Sequence, residues 1–202
     1  AHQHQGGVAV VEQPERIDTD FVNRVGVWIS ERMCLLAAEE PMDAEIHPTE
    51  DGVAGVLETL RQRFNYVVVD MRLPVGIAER AVLARARHSI LVMRPDVASI
   101  RGLVLARKLV AAAAPDAKTL TVINSAGRPG FLSERQVRDG IGETATATIR
   151  YLPDVLPGAA NSGRPALHGS RELRRDLAIL TQEIASMRLA IEPQSFFGRL
   201  FG

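Results

Sequence analysis

The sequence contains a single cysteine, Cys34, in 202 residues, which excludes a disulfide framework and any site built from several thiolates. Lysine is nearly as scarce. Lys108 and Lys118 are the only two, and every other basic residue is an arginine. Phosphate loops that need a lysine directly after a glycine therefore have nowhere to be: neither lysine follows a glycine, and the pair Gly6-Gly7 is followed by valine. There is no excess of charge, with 24 basic against 24 acidic residues and a pI near 7.2. Nucleic-acid binding driven by bulk charge is not expected from such a chain. No apolar run reaches the roughly 18 residues of a membrane-spanning helix. The opening AHQHQGG has neither the basic nor the apolar region of a signal peptide, so the default compartment is the cytoplasm.

Hydrophobic residues make up 46% and charged residues 24%, the composition of an ordinary globular protein rather than a disordered chain, a collagen or a coiled-coil rod. A chain of this length buries roughly 70% of its unfolded surface and needs no staples. Helical patterns are read over 17–29, 51–64, 77–87, 99–114, 133–141 and 170–191. In 51–64, Val53, Val56, Leu57 and Leu60 share one face, Ser99 and Ser133 stand as caps, and Pro115 and Pro193 as stops. Unbroken apolar runs at 33–38, 66–70 (YVVVD), 89–93 (SILVM) and 119–123 (TLTVI), with a weaker one at 146–152, read as strands. Such strands alternating with helices predict an α/β fold, a parallel sheet covered on both faces. Ligands of these sheets bind beyond the carboxyl ends of the strands. Here those ends are polar: Glu39 and Glu40, Asp70, Asp96, Asn124, and Pro153-Asp154.

Asp70 ends the most β-branched run. An acid there can hold magnesium or a water beside a phosphate, or simply cap a strand-to-loop turn. A receiver-like reading pairs Glu39 and Glu40 with Asp70 as a phosphoryl acceptor. A receiver needs helix, strand and helix between the two, roughly 11, 5 and 11 residues plus loops, and the gap is 70 − 39 = 31 residues. Only one helix fits. The histidines His2, His4, His47, His88 and His168 have no second histidine or cysteine at helical spacing, so no metal set is expected. Leu173, Leu177, Leu180, Ile184, Met187 and Ile191 form a stripe along the last helix, read as packing onto the sheet. Arg171, Arg174 and Arg175 at its start are read as a solvated face.

From Pro14 onward the chain resembles the TadZ/CpaE pilus-assembly branch of the ParA/MinD-type ATPases. The segments that carry the resemblance are, in order, PERIDTDFVNRV, LLAAEEPMD, FNYVVVD, ILVMRPDVASIRGLVLARKLV, VINSAGRPGFLSERQVRDGIG and IRYLPDVLPGAANSGRPAL, with GRLF similar to that family's tail. The resemblance implies a mostly parallel sheet with helices on both faces, a ParA/MinD-like P-loop fold lacking its first strand and phosphate loop. The chain is then either part of a longer product or a shortened relative. The resemblance also implies ATP and magnesium as cofactors, with Asp70 as the switch acid near the metal and the attacking water. Asn124 becomes the adenine-contacting asparagine, with Pro153 and Asp154 beside the base. The implied function is assembly or localisation of a Flp/Tad-type pilus secretion apparatus. The implied partners are a second copy of the chain and the secretion machinery, in the cytoplasm and at a cell pole. The alternatives are a receiver-like signalling domain and a DNA-partitioning ParA-like ATPase, which a long basic patch would favour.

The expected organisation is a partial or disordered segment over 1–13, a ParA/MinD-like domain over 14–192, and an amphipathic tail over 193–202. Phe196, Phe197, Leu200 and Phe201 fall on one face of that tail, suited to weak membrane or partner contact, or to folding back on the domain. The missing Gly-Lys pair generates a prediction. The lysine supplies charge to the transferring phosphoryl group, so this chain does not turn over ATP. A phosphate-release assay with magnesium checks it: no release above background is expected, and release that disappears in Asp70→Ala contradicts it.

Overall fold

The computed structural model describes residues 22, 23, 25–37 and 47–189. The expected tail contacts Phe196, Phe197, Leu200 and Phe201, and the acids Glu39 and Glu40, lie outside the described residues. The chain divides into two compact units, the first running through Arg85 and the second beginning at Ala86.

The described part of the first unit begins with helical residues 22, 23 and 25, then a hairpin of β1 (Val27–Ser30) and β2 (Met33–Leu35). The helical pattern read over 17–29 does not extend past Gly26, and Val27 to Ile29 are strand. Gly26 is what allows the junction: its N–H donates to the Val22 carbonyl at 3.0 Å, and a Cβ there would lie 2.3 Å from Cys34 Sγ and 2.5 Å from the Val22 oxygen. The strands pair antiparallel, Trp28 opposite Cys34, and Val27, Ile29, Met33 and Leu35 are exposed. A short exposed ribbon replaces the buried strand read over 33–38.

Helix α1 (Glu50–Arg63) is capped by the Thr49 hydroxyl, which accepts from the Gly52 N–H at 3.0 Å. Its expected face is the buried one, with Val53 and Leu57 against Ala81 of α2 (Ile77–Leu83), and Leu60 against Val22. Residues 66–70 are not a strand. A β-branched run becomes a strand only when a neighbour supplies the ladder, and among the described residues none does. Val67 packs into the helix clusters, while Val68 is 89% exposed.

The second unit is the α/β half. Strands β3 (His88–Met93), β4 (Lys118–Ala126) and β5 (Ala147–Arg150) form a parallel sheet in the order β3-β4-β5. Helix α3 (Val97–Ala113) follows β3, and α4 (Glu134–Ile141) follows β4. After β5 come the short α5 (Leu156–Ser162) and α6 (Ala166–Gly169), and the long α7 (Arg171–Leu189). The cap of α3 is Asp96 rather than Ser99: the Asp96 carboxylate accepts from the Ser99 N–H at 2.7 Å. That backbone hydrogen bond is the main reason the Asp96 pKa lies below its ordinary value. Met93, Ile123, Leu103, Val137 and Ile141 form the core on one face of the sheet. Leu120 and Val122, alternating with Thr121 and Ile123, are buried on the other.

Two polar networks fix the layers. Arg107 of α3 donates to Thr121 Oγ1 of β4 at 3.0 Å, to the Ile141 carbonyl ending α4 at 3.1 Å, and to Glu143. Asp176 of α7 accepts from the Arg150 backbone N–H at 3.0 Å and takes its guanidinium through Nε at 2.9 Å and Nη2 at 2.7 Å. Leu173 and Ala185 of α7 are buried and the helix packs on β5, as the packing reading of its stripe expects. Arg174 departs from the solvated-face reading, since it donates to the carbonyls of Leu167 and, at 3.1 Å, His168.

Burial alone would raise the Asp176 pKa, but the side-chain and backbone hydrogen bonds of Arg150, with its charge, outweigh burial and hold it below the ordinary value. A depressed folded-state pKa contributes stability that is complete above the unfolded value, about 3.9, and is lost as pH falls through the folded one. Asp176→Ala is therefore expected to cost about 2 kcal/mol at neutral pH, lowering the melting temperature by roughly 4–8 °C. The difference from the parent protein should shrink below about pH 4. Thermal melts across pH check this; a difference that persists unchanged at low pH contradicts it.

Candidate functional site

The second unit concentrates its polar and irregular features at the carboxyl edge of the sheet. Asn124 is half-buried on β4, opposite Ile149 of β5. The register then slips between Asn124 and Ala126. Ser125 sits in the slip at φ 66, the left-handed region that favours glycine. The bulge reorients the strand end, and pairing resumes where the Tyr151 N–H donates to the Ala126 carbonyl at 2.8 Å. Pro153 and Asp154 lie exposed in the turn between β5 and α5. β4 and β5 are parallel neighbours, so Asn124, Pro153 and Asp154 fall toward the same edge. Asp70 belongs to the first unit and is exposed in the irregular segment after α1.

The loop over 127–132 turns back across the same edge. The Phe131 N–H donates to the Arg128 carbonyl at 3.1 Å, and the Leu132 N–H to the Pro95 carbonyl beyond β3 at 2.8 Å. Ser133 and Gln136 then cap α4 reciprocally: the Ser133 N–H donates to Gln136 Oε1 at 2.9 Å and the Gln136 N–H to Ser133 Oγ at 3.3 Å. Between loop, strand ends and helix lies a cleft of about 610 Å³. Phe131 and Leu132, both half-buried, give it an apolar floor over the buried Ile123 and Val137, and Arg128 and Glu134 are among its lining residues. The Arg128 guanidinium lies 5.1 Å from the Phe131 ring centre and 5.5 Å from that of Tyr151. None of Asn124, Pro153 and Asp154 lines this cleft. Its residues were not singled out in the sequence; the one signal was the loop chemistry of GRPG directly after a strand.

Set against ATP and magnesium, these residues fit in part. The Asn124 amide can both donate to and accept from a heterocyclic base. No lysine follows a glycine in the sequence, and among the described residues no three histidine, cysteine or acidic side chains cluster as a metal site. Base recognition is thus chemically available, whereas among the described residues no side-chain cluster for a metal is assembled.

The sheet order and its flanking helices have counterparts among solved structures. The chain is similar to a ParA family ATPase from Chlorobium tepidum TLS, at a TM-score of 0.72 and 16% identity, covering 88% of this chain and 73% of that one. The fold is ParA/MinD-like. The MinC:MinD cell division protein complex of Aquifex aeolicus matches at a TM-score of 0.63 and 18% identity, over 92% of this chain and 74% of that one. The septum site-determining protein MinD of Pyrococcus horikoshii OT3, complexed with Mg-ADP, matches at 0.54 and 17%, over 71% and 59%. At such identities the likeness is one of fold. No protein-family model matches the sequence, and no curated protein matches it.

Proposed function

We propose that the chain is a TadZ/CpaE-type factor that assembles or localises a Flp/Tad-type pilus secretion apparatus, acting through docking and dimerisation rather than catalysis. The observation that supports this most is the ParA/MinD-like fold, with its likeness over 88% of the chain. The resembling segments also fall on it in order: ILVM on β3, VINSA on β4 and IR ending β5. In this reading residues 14–192 are the ParA/MinD-like domain and 193–202 a tail that touches a partner or a membrane surface. Among the described residues no helix is long and apolar enough to cross a membrane.

Asn124, Pro153 and Asp154 are the proposed base-side residues and Asp70 the proposed switch acid. ATP and magnesium would act as a switch only in a chain that supplies the phosphate loop. When bound, the nucleotide would supply the signal between two docking states; the Asn124 amide would hold the base, and Asp154 would border it. A homodimer at a cell pole is the proposed working form, and the complex formed by MinD in Aquifex aeolicus is a precedent for partner docking on this fold. The DNA-partitioning alternative draws on the ParA neighbour, but the arginines are scattered along the chain rather than gathered in one stretch.

Affinity purification of the tagged chain from its own cells tests the proposal. Co-purification of Flp/Tad secretion components, at a level set by the tagged chain and lost when it is omitted, is the expected result. Recovery of DNA in place of those components contradicts it and favours partitioning.

A further inference from the structure

Among the arginines of the second unit, Arg94, Arg107, Arg135 and Arg150 each face a carboxylate. Arg128 does not: among the described residues it makes no ion pair and no side-chain hydrogen bond. It is nevertheless held in place, its guanidinium against Phe131 and Tyr151 at 5.1 and 5.5 Å. These ring contacts use none of the guanidinium N–H donors. Arg128 lines the 610 Å³ cleft together with Phe131 and Leu132. We propose that the cleft is a binding site for a ligand that joins one carboxylate to an apolar group. The carboxylate pairs with Arg128 and the apolar group fills the floor.

Three observations define that class. The guanidinium fork matches a carboxylate in two parallel hydrogen bonds. The accessible apolar lining comes from the half-buried Phe131 and Leu132, which lie over the buried Ile123 and Val137, so an apolar group gains by covering them. Glu134 shares the lining, and its charge opposes a polyphosphate more strongly than a single carboxylate. The site is separate from the proposed base-side residues. Ile123 faces the α3 and α4 layer, and Asn124, the next residue along β4, belongs to the opposite face. The inference therefore stands whether or not the chain serves pilus assembly.

Titration of the ¹⁵N-labelled full chain by NMR tests it, with 3-phenylpropionate, the neutral 3-phenylpropanamide and inorganic phosphate as probes. The carboxylate is expected to shift the amides of residues 126–133 and of Thr148, saturating by about 10 mM, with the amide analogue roughly tenfold weaker. Arg128→Gln should bring the carboxylate down to the level of the amide. Glu134→Gln, an exposed change that removes the opposing charge, should tighten it. A fourth probe, N-acetyl-Ala-Ala-Ala-Phe with a free C-terminus, separates the sources of the same chemistry. Tighter binding than the free acid points to a chain terminus of a partner protein, and weaker binding to a small carboxylate. The proposal is overturned by equal affinity for acid and amide, by an unchanged affinity in Arg128→Gln, by a loss in Glu134→Gln, by phosphate binding as tightly as the acid, or by no shifts at about 10 mM.

Discussion

Strand β4 is the constraint on which the second unit depends. Among the described residues it is the one strand hydrogen-bonded on both sides, to β3 through six residue pairs and to β5 with a register shift between Asn124 and Ala126. Its inner residues Leu120, Thr121, Val122 and Ile123 are all buried. A strand paired on both edges and covered on both faces cannot move without breaking ladder bonds and exposing two cores at once. The hydroxyl of Thr121 would be costly in such a place if unpaired, but the Arg107 guanidinium meets it. Through Arg107, which also donates to the Ile141 carbonyl, the strand, α3 and the end of α4 are fixed to each other.

The carboxyl end of β4 then determines what the molecule can do. The slip at Ser125 ends regular pairing and sends the chain into the 127–132 loop. The same stretch presents Asn124 to one face and builds the Arg128 cleft on the other. Two kinds of chemistry are thereby separated by the thickness of one strand: an amide suited to a heterocyclic base, and a guanidinium beside an apolar floor. The salt bridge between Arg150 and Asp176 secures the neighbouring strand end by α7, so both sites rest on rigid elements rather than on the loop alone. A fold that binds a partner in response to a ligand needs such a rigid edge, because a ligand can bias only states that the scaffold keeps distinct.

Much of the second unit was legible in the sequence because its signals are local. The runs SILVM and TLTVI are both strands: β3 begins one residue before the expected bounds, and β4 begins one residue before and runs three residues beyond them. Ser133 caps α4 as read. Asp96 took the cap from Ser99 because a carboxylate three residues before an amide is as good a partner as a hydroxyl, and sequence alone does not rank the two. The first unit was less legible for a different reason. YVVVD has the composition of a strand, but whether such a run pairs depends on what lies beside it, and no local pattern encodes that. The hairpin β1–β2 was missed because Gly26, past which the helix does not extend, sits inside an otherwise helical spacing. The cleft was illegible because its parts, Pro95, Arg128, Glu134 and Thr148, are far apart in the chain and meet only through the sheet register.

Native-state hydrogen exchange, read residue by residue, tests the central role of β4 most directly. Its backbone amides from Leu120 to Asn124 should be the slowest in the molecule, exchanging only with opening of the whole second unit. Those of residues 66–70, which have no ladder, should exchange with little protection. Protection of β4 no greater than that of residues 66–70 would contradict the account, because the sheet would then not be held by its middle strand.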